Sequence, residues 1–253
     1  MTTHVKETVT LNNGEHMPWL GLGVFRVEEG NTLVEAVKTA VKQGYRSIDT
    51  AAIYANEAGV GQGIKEALQA YETSLKKLGL EYLDLYLIHW PVEGKYMGAW
   101  KALEELYDQG RVKSIGVSNF QIHHLEDLMK EATVKPVINQ VEFHPRLTQK
   151  ELLAYCEAHN IQLEAWSPLM NGELLEEKCL KDLASKYGKT PAQIVLRWDL
   201  QQGVITIPKS TNEQRIAENA DIFDFELSVE DMEQIDQLNQ NRRIGPDPDR
   251  IDF

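Results

Sequence analysis

Basic residues are scarce in this chain: 26 lysines and arginines stand against 39 aspartates and glutamates, a formal net charge of −13. An extended nucleic-acid surface needs a basic stripe to neutralise phosphates, so this balance excludes a general nucleic-acid binder. It does not exclude a local basic pocket for one small anion. Cysteine is nearly absent, and the spacing of Cys156 and Cys179 suits neither a metal site nor a disulfide framework. No apolar run approaches the ~20 residues that span a bilayer. The opening MTTHVKETVTLNNGEHMP also lacks the apolar core of a secretory signal. These absences lead to the expectation of a cytoplasmic protein with reduced thiols, no membrane partner and no nucleic-acid partner.

What is present is core-forming material. The 253 residues are 42% hydrophobic, and no linker-like stretch interrupts them, so one domain over residues 1–253 is expected. Short apolar runs end in polar residues and alternate with helix-period segments. WLGLGVFR is followed by NTLVEAVKTAVKQG; then come RSIDT, YLDLYLIHW, SIGVSNF, INQVEFHP, IQLEAWSP and VITIPKS. The helices QIHHLEDLMKEA and TQKELLAYCEAHN lie between them, with Ser118, Asn119 and Thr148 as expected caps. Sustained alternation predicts parallel strands, and its length favours a closed (β/α)8 TIM barrel over an open sheet. TVTLNNGEHMP reads as a separate hairpin with an Asn-Gly turn at the barrel bottom.

Active sites of such barrels collect at the C-terminal ends of the strands. Asp49, His89, Trp90, Ser118, Asn119, Gln140, Glu142, Trp166, Ser167, Lys209 and Ser210 all fall there, which predicts a polar pocket at one rim. Two other signals are set aside. The glycine cluster GVGQG at 59–63 does not follow a strand, as a dinucleotide loop would. His123 and His124 are adjacent on a helix, where neighbouring side chains diverge, so a solvated face is expected and no metal site.

The segments GYRSIDTAAIYANEAGVGQGI, YLDLYLIHWP, SIGVSNF, NQVEFHP, EAWSPL and ITIPKSTNEQRIAENADIFDFELS together resemble the aldo-keto reductase family. The likeness runs from about Met17 to Phe253 and is closest to the prokaryotic diketogluconate and glyoxal reductase-like members. It implies a monomer that uses NADPH to reduce small aldehydes, ketones or dicarbonyls. By the same resemblance Asp49 is the aspartate of the family's tetrad, Tyr54 the proton donor and His89 the histidine that orients the carbonyl oxygen. Ser118, Asn119 and Gln140 would hold the nicotinamide carboxamide, with Trp166 stacking on its ring. Ser167, Pro168 and Leu169 would line the pyrophosphate, Lys209, Ser210 and Arg215 the 2'-phosphate, and Glu218 and Asn219 the adenine. Phe25 and Trp90, with His89, would border the substrate.

The sequence departs from the family at two places, one of them Phe25, which stands where many relatives carry tryptophan. The tetrad lysine is missing, because GVGQGIKEALQAYETSLKKLGLEYLDL passes from one helix to the next with no third strand between. About one βα element is absent, on the order of 25 to 30 residues. Across the join Ile64, Leu68, Tyr71, Leu75 and Leu78 keep an apolar spacing that one continuous helix could use. Lys65 is the nearest lysine in sequence, on the helix after Tyr54, and is not expected to reach the pocket. The sequence leaves open whether the protein itself lacks the element or the physical chain carries more residues. It also leaves open two functions: a working reductase, or a catalytically impaired NADPH-binding relative.

Overall fold

The computed structural model describes residues 4–27, 31–51 and 82–251. Tyr54, Lys65, the GVGQG cluster, the continuous-helix expectation and the position of the absent third strand lie outside these residues. The chain opens with a hairpin, β1 (Thr8–Thr10) against β2 (His16–Pro18), antiparallel and joined through the Asn-Gly turn. Then follow β3 (Leu22–Gly23), α1 (Asn31–Lys42), β4 (Ile48–Asp49) and β5 (Leu83–Ile88). From there strands and helices alternate: α2 (Tyr96–Asp108), β6 (Val112–Ser118), α3 (Ile122–Glu131), β7 (Ile138–Glu142), α4 (Lys150–Ala158) and β8 (Gln162–Trp166). A 3-10 segment (Met170–Glu176), α5 (Lys178–Tyr187), α6 (Pro191–Gln201), β9 (Ile205–Thr206), α7 (Glu213–Ala220) and α8 (Val229–Asp236) complete the order, and a short 3-10 turn lies at Pro248–Arg250.

Among the described residues all pairings between strands from β3 onward are parallel. β5 to β9 run side by side in sequence order, β3 pairs with β4, and the bridges Leu20–Thr206 and Gly23–Lys209 tie β3 to β9. The lateral order is therefore β4-β3-β9-β8-β7-β6-β5. It is a (β/α)8-class barrel whose seven described strands match the seven runs read from the sequence. The two ends of that order, β4 and β5, are the strands between which the absent element would stand. β6 and β7 are almost wholly buried, whereas β5 is mostly half-buried, as an end strand should be.

Apolar side chains fill the space between sheet and helices. Trp100, Phe120, Phe143 and Trp198 are fully buried there, and the rings of Phe143 and Trp198 stack at 5.2 Å. Inside the sheet the space is tight: a methyl group on Gly116 would lie 2.5 Å from Ile138 and 2.8 Å from Leu87. The hairpin plugs the N-terminal end of the sheet, where Leu11 and Met17 pack on Val137, Ile138 and Ile205. Asn12 fixes it by donating to the carbonyls of Pro136 and Asn160, both at 3.0 Å, and Asn13 reaches Ser114 Oγ at 2.9 Å.

Two cap expectations are corrected. α3 is capped by Gln121, whose partner in the capping box is His124, while Asn119 turns with a positive φ of 65° toward other partners. α4 starts after Gln149 rather than Thr148, whose backbone N–H instead meets Asn239 Oδ1 at 3.2 Å. The chain leaving the rim turns for two further residues before α3 and for one before α4. Among the described residues no helix is long and apolar enough to cross a membrane.

Because Asn12 serves two strand-end carbonyls at the far end from the rim, Asn12→Ala should lower stability by roughly 1–3 kcal/mol. Cofactor affinity should be untouched. A urea denaturation midpoint equal to wild type would show that the hairpin does not brace the sheet.

Candidate active site

The strand ends bring most of the expected residues to one rim. Asp49 ends β4, His89 and Trp90 follow β5, Ser118 ends β6 and Asn119 follows it. Gln140 lies in β7, Trp166 ends β8, and Lys209 and Ser210 follow β9. Register aligns them in rows: Ser118 faces Gln140, Gln140 faces Glu164, and one step further Glu142 faces Trp166. Alternation along each strand turns these side chains toward the same side.

The first row holds an unusual group. Gln140 Nε2 donates to Asp49 Oδ1 at 2.9 Å and to Glu164 Oε2 at 2.8 Å, so a single amide bridges two carboxyl groups. Neither carboxylate forms an ion pair among the described residues. Burial raises the Asp49 pKa to about 6, against a small lowering by Gln140. Burial, then the charge of Asp49, raises Glu164 to about 8. Burial raises both groups, and for Glu164 the charge of Asp49 adds to it, so the arrangement favours a proton retained by the pair. Glu164 falls within the runs IQLEAWSP and EAWSPL but was not among the expected site residues; its signal was a carboxyl group at the centre of a buried strand.

A second network joins the ring of Trp166 to the frame. Its Nε1 donates to Asn119 Oδ1 at 2.8 Å, and Asn119 Nδ2 donates to the His89 carbonyl at 2.9 Å. Ser118 Oγ donates to the Gln140 carbonyl at 2.8 Å. Burial lowers the His89 pKa, which keeps its imidazole neutral near pH 7. The His89 and Trp90 rings meet edge to face at 6.2 Å. Phe25 is half-exposed beyond β3, under the guanidinium of Arg26 at 5.0 Å.

The remaining expected residues gather after β8 and β9. Ser167 takes a positive φ of 51°, and its carbonyl accepts from Met170 N at 3.0 Å; Pro168 is buried and Leu169 packs on the core. Lys209 and Arg215 are exposed and form no ion pair among the described residues, whereas Ser210 is buried and its Oγ accepts from Asn212 N at 3.2 Å. Asn212 caps α7, whose first turn carries Arg215. Glu218 and Asn219 lie on the last turn of the same helix, the former half-buried and the latter buried.

The histidine pair differs from expectation. His123 and His124 do not diverge: their rings lie 3.9 Å apart, and both Nε2 atoms approach Asp249 Oδ1, at 3.4 and 3.7 Å. In the first turn of α3 both can turn toward the C-terminal segment. His124 Nδ1 accepts from Gln121 N at 3.1 Å, so its Nε2 bears the proton. A metal ligand would need the opposite tautomer, and the trio is better suited to fastening the tail. Two open clefts of about 350 and 490 Å³ flank the hairpin at the other end of the sheet, apart from all the rim residues.

Comparison with known proteins is consistent with the rim. The family model described as "Aldo/keto reductase family" matches residues 65–240. The oxidoreductase YtbE of Bacillus subtilis (strain 168) is 63% identical over 280 positions, covering 100% of both chains. Glyoxal reductase of the same organism is 59% identical over 276 positions, again covering 100% of both. A crystal structure of an aspartate-to-alanine mutant in complex with NADPH superposes at a TM-score of 0.93 with 43% identity, covering 97% of this chain and 98% of that one. An alignment of 280 positions leaves at least 27 without a residue from a chain of 253. That shortfall has the size of the absent βα element.

The acid pair sets a pH dependence. Both carboxyl groups are raised in the folded state, so between the ordinary carboxylate range and about pH 8 folding takes up protons and stability falls as pH rises. Glu164→Gln removes the larger of the two shifts. Its melting temperature should fall less between pH 5 and pH 8.5 than that of wild type; parallel curves would show that Glu164 is not held protonated.

Proposed function

The chain belongs to the aldo/keto reductase family, and on that premise we propose that it reduces small aldehydes, ketones or dicarbonyls to alcohols with NADPH. The observation that carries this reading is the rim network in which Trp166, through Asn119, is tied to the backbone of His89.

Two features fit the cofactor. Both protons of Gln140 Nε2 are engaged, which leaves its Oε1 to accept from the nicotinamide carboxamide, with Ser118 and Asn119 holding the frame around it. Lys209 and Arg215, cations without an ion-pair partner among the described residues of an acidic protein, suit a 2'-phosphate beside Ser210. Trp166 offers a ring for the nicotinamide. Ser167 to Leu169 provide backbone for the pyrophosphate, and Glu218 and Asn219 face the adenine.

When bound, NADPH supplies the hydride. His89, neutral because it is buried, donates a hydrogen bond to the carbonyl oxygen and orients the substrate between Phe25 and Trp90. Tyr54 delivers the proton from its phenol to the alkoxide. A phenol with a pKa near ~10 is a weak acid unless a cation lies beside it. Asp49 here has an amide and a second acid as partners, and no cation among the described residues, so its negative charge works against Tyr54. One specific observation thus favours a second reading, that of a cofactor-binding protein with impaired turnover: the 27-position shortfall leaves the lysine without a place.

Charge-assisted bonds contribute roughly 1.5–3 kcal/mol each, so NADPH should bind at least about tenfold more tightly than NADH. Arg215→Ala should erase most of the difference. Equal affinities of wild type for both cofactors, by fluorescence titration, would remove the 2'-phosphate assignment.

Positioned acid catalysis contributes on the order of 10² to 10⁴ in rate. Protein with an intact mass of 28.8 kDa should therefore reduce methylglyoxal slower than its longer relatives by about that factor, although it binds NADPH. Tyr54→Phe should abolish what turnover there is. Brisk turnover at that mass would contradict the account of the missing cation.

A further inference from the structure

Glu142 takes no part in the reaction described above, yet its carboxylate is the most heavily engaged at the rim. The side chain is wholly buried at the end of β7. Oε1 accepts from Ile244 N at 2.6 Å and lies 3.0 Å from His144 Nε2, while Oε2 accepts from Gly245 N at 3.1 Å. Burial alone would raise its pKa, but the hydrogen bonds from His144 and the two backbone N–H groups outweigh this and hold it below the ordinary range. A buried anion thus organises a stretch of chain more than a hundred residues away.

That stretch is pressed against Trp166, the register partner of Glu142. A methyl group on Gly245 would lie 2.3 Å from Trp166 Cη2, 3.3 Å from Cζ2 and 3.1 Å from Glu142 Oε2. Only a residue without a side chain fits unless the indole moves. The indole is therefore held at two places, by Asn119 at its N–H and by Gly245 at its benzo end.

We propose that Glu142 is a positioning residue for the cofactor: by holding Ile244 and Gly245 against the indole of Trp166, it sets the surface on which the nicotinamide stacks. This rests on the reading that Trp166 stacks on the nicotinamide. It makes the C-terminal segment part of the cofactor site and not only a wrapping of the barrel. Glu142 acts through Trp166, so its effect must disappear when the indole is absent.

The test is a double-mutant cycle on the full chain, read by NADPH affinity and by the cofactor-induced quench of tryptophan fluorescence. Gly245→Ala and Glu142→Gln should each weaken NADPH binding by roughly two- to tenfold, the range of an aromatic stacking contact, and reduce the quench. Both effects should vanish in the Trp166→Ala background. Gly245→Ala keeps the test alive if Glu142→Gln does not fold. If Trp166→Ala weakens binding while both other variants bind as wild type, or if their effects persist without the indole, the proposal is overturned and the stacking reading stands. If Trp166→Ala itself changes neither affinity nor quench, the stacking reading fails and takes the proposal with it.

Discussion

One amide group does the work at this rim that an ion pair would ordinarily do. Gln140 gives both protons of its nitrogen to carboxyl groups, one on Asp49 and one on Glu164. Two buried carboxylates cannot both stay charged beside a neutral amide, because desolvation and mutual repulsion penalise the doubly ionised state. Retention of a proton by the pair is therefore favoured, and the hydrogen-bonded row that holds it crosses three elements of the sheet. The orientation of Gln140 follows from this arrangement.

The same constraint links shape to chemistry. The lateral order of strands ends at β4 and β5, so Asp49 ends one of the two strands that flank the absent element and His89 follows the other. His89 keeps its position through its carbonyl, which accepts from Asn119, and Asn119 in turn holds the indole of Trp166. The rim network from His89 through Asn119 to Trp166 is therefore intact in this chain. What it lacks among the described residues is a positive charge to steady Asp49 and strengthen a phenolic acid.

Much of this was legible in the sequence. Parallel strands expose their carboxyl ends on one side, so Asp49, His89, Ser118, Gln140 and Trp166 could be assigned to one rim from the ends of apolar runs. The count of seven strands followed from the same alternation, and it agreed with the element that the family resemblance shows to be missing. Other features had no local signal. Glu164 was read as part of a motif because a single letter does not reveal which amide it meets across the register. The hydrogen bond from Ile244 to Glu142 spans 102 residues, and no pattern near either end announces it. The convergence of His123 and His124 on Asp249 was missed because helical divergence was assumed in a first turn, where a side chain also serves as a cap.

The central claim is that no cation among the described residues neutralises Asp49 and Glu164, so that a proton does. Infrared difference spectroscopy between wild type and Glu164→Gln at neutral pH reads this directly. The carbonyl stretch of a neutral carboxylic acid should be present in wild type and absent in the variant. If the variant instead lacks carboxylate bands that wild type has, Glu164 is ionised and the account of this rim is wrong.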